Sequence, residues 1–205
     1  MKNVITISRQ MGSGGRMIAD MISQRLGWPL VGKELVTEAA RKAGVDEIKI
    51  QRIFEHRLSL QDRITFQQRS AKYLDAISNV IHEFSDKGEV VLLGRASNLV
   101  LAGDPRIFRV NLVAEFEVRI ERIAEQLKLR GKKGLEKARQ LVVDSDYARS
   151  AYHTYLFDVD WNDPMNYDLI LNTTELTLDE AADAIHSVFE VIRGRLFMKA
   201  DGKRP

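Results

Sequence analysis

The chain has 205 residues, a formal net charge of +2 and no cysteine. It is long enough to bury a sizeable core as one α/β domain. The missing thiols exclude disulfides, thiolate zinc sites and cysteine nucleophiles. So small a charge does not by itself argue for nucleic acid, and no apolar run approaches a membrane span. Met1-Lys2-Asn3 leads directly into a core strand with no room for a signal peptide, so a cytoplasmic protein is expected.

Val4-Ile5-Thr6-Ile7 is a β-branched run suited to a buried strand. Gly12, Gly14 and Gly15 follow, permitting positive φ and close approach to an anion. Ile18, Met21, Ile22 and Leu26 then recur at helical spacing, and Gly27 with Pro29 stops that helix. Strand, glycine turn and helix start together make a phosphate site, because the unpaired N–H groups of the first turn converge where the helix dipole is positive. The candidate nucleotide-binding residues are therefore Arg9, Gly12, Ser13, Gly14, Gly15, Arg16 and Met17. Aligned on Gly15, the phosphate-loop pattern G-x-x-x-x-G-K-[ST] meets Gln10, Arg16 and Met17 where glycine, lysine and a hydroxyl residue stand. Arg16 still brings a two-pronged cation. Met17 offers magnesium no oxygen, so Mg²⁺ would be held mainly by nucleotide and water. A plain glycine turn is the competing reading, and a dinucleotide fingerprint fits less well.

Further along, Lys33 to Lys42 reads as a helix ended near Gly44, Asp46 can cap a short helix through His56, and Asp62 to Phe84 forms a longer helix that Gly88 ends. Val90-Val91-Leu92-Leu93 is a second buried strand with Gly94-Arg95 at its carboxyl end, where open α/β sheets place ligands. Phe108 to Val113 is another strand, followed by an amphipathic helix from Glu115 to Leu129, a flexible basic turn from Arg130 to Gly134, and a helix from Lys133 to Tyr155. Asp158 to Tyr167 reads as a loop before a strand at Asp168 to Leu171. The closing helix starts near Leu178, with Thr177 and Glu180 as its capping box. Strands alternating with helices favour a mainly parallel sheet covered on both faces.

These residues in this order, Ile5 to Arg16, Leu93-Gly-Arg95, Asp146-Tyr-Ala-Arg149, Trp161-Asn-Asp-Pro164 and Tyr167 to Asn172, resemble the cytidylate kinase-like family, a branch of the P-loop nucleoside monophosphate kinases. The resemblance runs from about Val4 to Phe189. It implies an α/β P-loop NTPase fold of three layers, with a mainly parallel sheet of about five strands flanked by helices, plus a helical lid at about 128–165. The domain would span 1–197 and leave a flexible tail at 198–205. The implied activity is phosphoryl transfer from ATP, with Mg²⁺, to a nucleoside monophosphate, nominally CMP or dCMP. By the same resemblance Arg16 would contact β- and γ-phosphates, Arg95 the monophosphate, and Arg119, Arg122 and Arg149 would be arginines of the lid and its flanks. The partners implied are nucleotide substrates, with neither a membrane nor a specific nucleic acid.

Each residue also has a blander role. Glu115 and Glu121 could pair Arg119 and Arg122 at the surface, Asp146 could hold Arg149 at i, i+3, and Arg9 could merely close the turn. Asp163 is expected to cap a turn before Pro164. Trp161, Tyr152, Tyr155 and Tyr167 are expected in core or as lid anchors. His56, His82, His153 and His186 show no ligand spacing, which leaves them surface or core roles. Relatives of cytidylate kinase proper carry aspartates flanking the Gly94-Arg95 pair and an acid near position 32, whereas this chain has Leu93, Ala96 and Gly32. Two alternatives therefore stand beside the kinase: a nucleotide-binding regulatory or interaction protein on the same fold, and a kinase for another small acceptor.

Overall fold

A computed structural model describes the backbone of residues 2–44 and 60–200, with side chains other than those of 36, 40, 43, 60–73 and 195–200. The short helix expected from Asp46 to His56 lies outside the described residues. Five parallel strands form one sheet in the order β2-β3-β1-β4-β5, where β1 is Val4–Arg9, β2 Leu30–Val31, β3 Val90–Leu93, β4 Ile107–Val113 and β5 Leu169–Asn172. Parallel neighbours need long crossovers. These are supplied by α1 (Gly15–Leu26), α2 (Lys33–Ala43), α3 (Leu60–Lys87), α4 (Ser97–Val100), α5 (Phe116–Gln126), α6 (Gly131–Phe157) and α7 (Leu178–Ala200).

β1 lies at the centre, pairing Ile7 with Leu93 of β3 and Arg9 with Leu112 of β4. The chain leaves β1 towards β3 and β2 on one side and returns to β4 on the other. The strand order thus reverses beside β1, where open α/β sheets bind ligands at the strands' carboxyl ends. Alternation along β1 sends Ile5 and Ile7 to one face, against Ile18 and Ile22 of α1 and Ile185 and Phe189 of α7. Val4 faces Leu35 of α2 and Ile77, Val80 and Ile81 of α3 on the other. Each such fully buried side chain contributes about 1.5–3 kcal/mol. A third cluster joins α5 to the first half of α6 through Ile120, Ile123, Ala138 and Val142, and Met11 of the glycine loop packs on it.

Three segments differ from expectation. The basic turn is the start of α6: Gly131 takes φ +67°, and Gly134 lets the helix pass so close to Leu129 that a Cβ there would sit 2.9 Å from the Leu129 carbonyl carbon. The closing helix continues through Gly194 to Ala200, into the stretch expected as tail; residues 201–205 lie outside the described set. The two-residue β2 is too short to leave a periodic signal.

Candidate active site

The glycine loop connects β1 to α1 by a left-handed turn, with Gly12 at φ +83° and Gly14, the residue capping α1, at φ +78°. Substituents are excluded on sterics as well. A Cβ at Gly12 would lie 2.6 Å from the Arg119 carbonyl oxygen, and one at Gly15 would lie 2.5 Å from Arg9 Cβ. Buried Ser13 donates its hydroxyl to the Gln10 carbonyl at 2.8 Å, which spends it on the loop itself. The first helical bond runs from the Ile18 N–H to the Gly14 carbonyl. The N–H groups of Gly15, Arg16 and Met17 therefore have no acceptor inside the helix and are aligned with the positive end of its dipole.

Arg16 and Met17 are exposed at this turn. Arg16 Nε donates to Asp20 at 3.3 Å, a one-turn surface pair of the kind worth little and readily exchanged for phosphate. Its guanidinium also passes Gly32, where a Cβ would stand 3.5 Å from Nη1. Glu34 carries the negative charge near this spot. Burial opposes its ionisation, but the N–H groups of Gly32 (2.8 Å) and Glu34 and the charge of Arg16 outweigh burial and hold its carboxyl below the usual range.

Arg9, Arg95 and Arg149 come from three elements and line one pocket with Ser8, Gly94, Tyr152, His153 and Trp161. Arg9, at the end of β1, lies against two glycines: a Cβ at Gly94 would fall 1.8 Å from its Nη1, and Gly15 clears its stem. After β3 the chain takes three consecutive left-handed conformations, Gly94 (φ +74°), Arg95 (φ +60°) and Ala96 (φ +51°). For the two non-glycine residues this costs on the order of 1–2 kcal/mol each, strain of the kind that concentrates at ligand sites. The Tyr152 hydroxyl donates to the Arg95 carbonyl at 3.3 Å, binding α6 to this turn. Arg149 donates to the Ser145 hydroxyl one turn back.

Arg119 and Arg122 sit elsewhere, clamped beneath the glycine loop. Arg119 is 4 % exposed. It donates to the carbonyls of Ala114 (3.1 Å) and Met11 (3.4 Å) and to both oxygens of Asp146 (2.8 and 3.0 Å). It is not the surface pair weighed from sequence, and the Asp146 considered as a holder for Arg149 is engaged by Arg119. Arg122 reaches the Gly12 carbonyl at 3.5 Å and the carbonyls of Thr173 and Thr174 at 2.8 and 3.2 Å. Both side chains hold the loop to α6 and to the end of β5. Asp163 accepts from the Met165 N–H at 2.9 Å, the capping role expected of it.

The residue that sequence reasoning passed over is His153. It is buried, lines the pocket of three arginines, and places Nδ1 2.7 Å from the Arg149 carbonyl. Burial pushes its pKa down to about 4; the bond to that carbonyl opposes the shift and the charge of Arg149 adds to it. The available signal was its spacing, since Asp146, Arg149 and His153 fall at i, i+3, i+7 on one face of α6.

Residues 4–175 match the profile of the cytidylate kinase-like family. The chain belongs to this family. It is similar to the cytidylate kinase of Pyrobaculum islandicum, 28% identical over 179 residues that cover 87% of this chain and 88% of that protein. It is similar also to the cytidylate kinase of Methanopyrus kandleri, 25% identical over 201 residues covering 94% and 95%. Among solved structures, an uncharacterized protein from Eubacterium ventriosum superposes with a TM-score of 0.70 at 20% identity, over 92% of this chain and 99% of that one. A gluconokinase from Sinorhizobium meliloti gives 0.54 at 13% identity over 97% and 99%, and a shikimate kinase from Acinetobacter baumannii 0.51 at 17% over 93% and 94%. The fold is that of the P-loop kinases, and family and fold together support nucleotide kinase activity. Among the described residues no helix is long and apolar enough to cross a membrane.

Proposed function

We propose that the protein transfers the γ-phosphoryl group of ATP to a nucleoside monophosphate, with CMP or dCMP the nominal acceptor. The observation that carries this reading is the convergence of Arg9, Arg95 and Arg149 on one pocket beside a glycine loop at the carboxyl ends of β1 and β3. Two anion sites side by side are what phosphoryl transfer between nucleotides requires. The chain's work is to align an acceptor oxygen with the γ-phosphorus and to neutralise charge spread over the transferring group. The N–H groups of Gly15 to Met17 and the guanidinium of Arg16 would hold the donor's phosphates, and Arg9, Arg95 and Arg149 the acceptor's. Closure of a lid over the two sites would exclude water and suppress hydrolysis of ATP.

Magnesium, when bound to the nucleotide, supplies charge neutralisation on the β- and γ-oxygens. The protein groups at hand suit an ion held through nucleotide and water: the Ser13 hydroxyl is engaged with the Gln10 carbonyl, and Met17 brings a thioether where a hydroxyl would stand.

The test is phosphotransfer from Mg·ATP to a panel of CMP, dCMP, UMP, AMP and GMP, with Arg16→Ala as the control. One diphosphate product, formed about 10²-fold or more slowly by the variant, is expected. Tight nucleotide binding without transfer to any acceptor would favour the regulatory protein, an outcome to which Met17, which offers magnesium no oxygen, lends weight.

A further inference from the structure

His153 combines two features that a structural histidine does not need together. A carbonyl oxygen can only accept, so the 2.7 Å contact between Nδ1 and the Arg149 carbonyl puts the ring proton on Nδ1. In the neutral ring Nε2 is then a bare lone pair. This atom is buried and has no partner among the described residues. The ring faces Tyr152 edge-on at 5.4 Å and lies tilted against Trp161 at 6.0 Å, so its plane is held from two sides. Buried acceptors in folded proteins are nearly always satisfied, and this orphan belongs to a residue that lines the pocket of three arginines, where a ligand can bring the missing donor. Every other charged group lining this pocket is an arginine, which donates and never accepts.

We propose that His153 is a specificity residue of the acceptor site, its Nε2 accepting a hydrogen bond from an N–H or O–H of the non-phosphate part of the molecule whose phosphate Arg9, Arg95 and Arg149 bind. This deepens the proposed function and rests on it for the identity of the ligand. Three arginines retain any phosphate, inorganic phosphate included. The pocket needs an acceptor to discriminate in favour of a phosphate ester carrying an amine or hydroxyl at the right distance, and His153 supplies one in a fixed tautomer.

The experiment combines kinetics with ¹⁵N NMR of the histidine ring. His153→Phe keeps the ring and removes the acceptor, while His153→Gln returns a carbonyl oxygen near the position of Nε2. With CMP as the probe, His153→Phe is expected to raise the acceptor KM about tenfold with the ATP KM unchanged, and His153→Gln to recover most of the loss. In the wild-type protein the Nε2 resonance should move upfield as CMP is added and stay in place with inorganic phosphate. Equal losses in the two variants, or an unchanged acceptor KM in a folded His153→Phe protein, overturn the inference and leave the kinase standing. If the wild-type protein transfers nothing to any acceptor of the panel, the proposed function fails, and the resonance alone then decides on His153. An Nε2 signal that CMP does not move, whether CMP binds without touching it or does not bind at all, overturns the role given to His153.

Discussion

At the scale of single residues, the site is organised by what glycine leaves out. Arg9 lies where side chains at both Gly15 and Gly94 would overlap it, so two glycines far apart in sequence shape one arginine's position. The Arg16 guanidinium passes Gly32 closely enough that a Cβ there would stand 3.5 Å from Nη1, and Glu34 brings a carboxylate close by. His153 has a consequence for stability. Its pKa is depressed to about 4 by burial, so between the ordinary histidine value and 4 the unfolded chain takes up a proton that the native chain refuses. Stability from this group is therefore full above about pH 6.5 and declines as the pH falls towards 4, by up to about 3 kcal/mol. Urea unfolding of wild-type protein and His153→Phe at pH 7 and pH 4.5 should show the wild type losing more stability than the variant. Parallel losses would mean that His153 is not held neutral.

At the scale of elements, the capping box expected at the start of α7 forms reciprocally. The Glu180 carboxylate accepts from the Thr177 N–H at 2.8 Å, and the Thr177 hydroxyl accepts from the Glu180 N–H at 3.2 Å. α7 then buries Ala181, Ile185 and Phe189 against the sheet. Thr177→Ala should cost about 1 kcal/mol in chemical unfolding and leave nucleotide binding unchanged. α6 was legible as a helix but not in its duties. Over about 40 Å it packs Ala138 and Val142 on α5, presents Asp146 to Arg119, and ends by lining the pocket with Arg149, Tyr152 and His153. Periodicity reports an apolar face; it does not report which partner each part of that face meets.

At the scale of the molecule, the Arg119–Asp146 pair connects the two halves of the site. Through the Met11 carbonyl Arg119 holds the glycine loop, and through Asp146 it holds the helix that brings Arg149 and His153 to the pocket of three arginines. Asp146→Asn removes the charge opposite a buried guanidinium, and a loss of about 2 kcal/mol or more is expected, Asp146 being partly open to water. At temperatures where the variant stays folded, the KM values for ATP and for the acceptor should rise together. A rise in only one would show that the loop and α6 are positioned independently.

By itself the sequence determined the layout of this protein: strands and helices in alternation, the glycine turn after β1, the glycine-arginine turn after β3 and the family to which the chain belongs. These are local signals, set by periodicity, turn chemistry and motif order, and they survive without knowledge of what packs on what. The tertiary structure alone decided which arginines share a pocket. Five were candidates for catalysis and Arg9 was expected in the loop. Register and crossover bring Arg9 to Arg95 and Arg149, while Arg119 and Arg122 are spent on backbone carbonyls and Asp146. The same is true of His153, whose proposed role depends on burial and on the one carbonyl that fixes its tautomer. A long charged side chain can satisfy itself locally or reach a ligand, and only the geometry of the groups around it selects between the two.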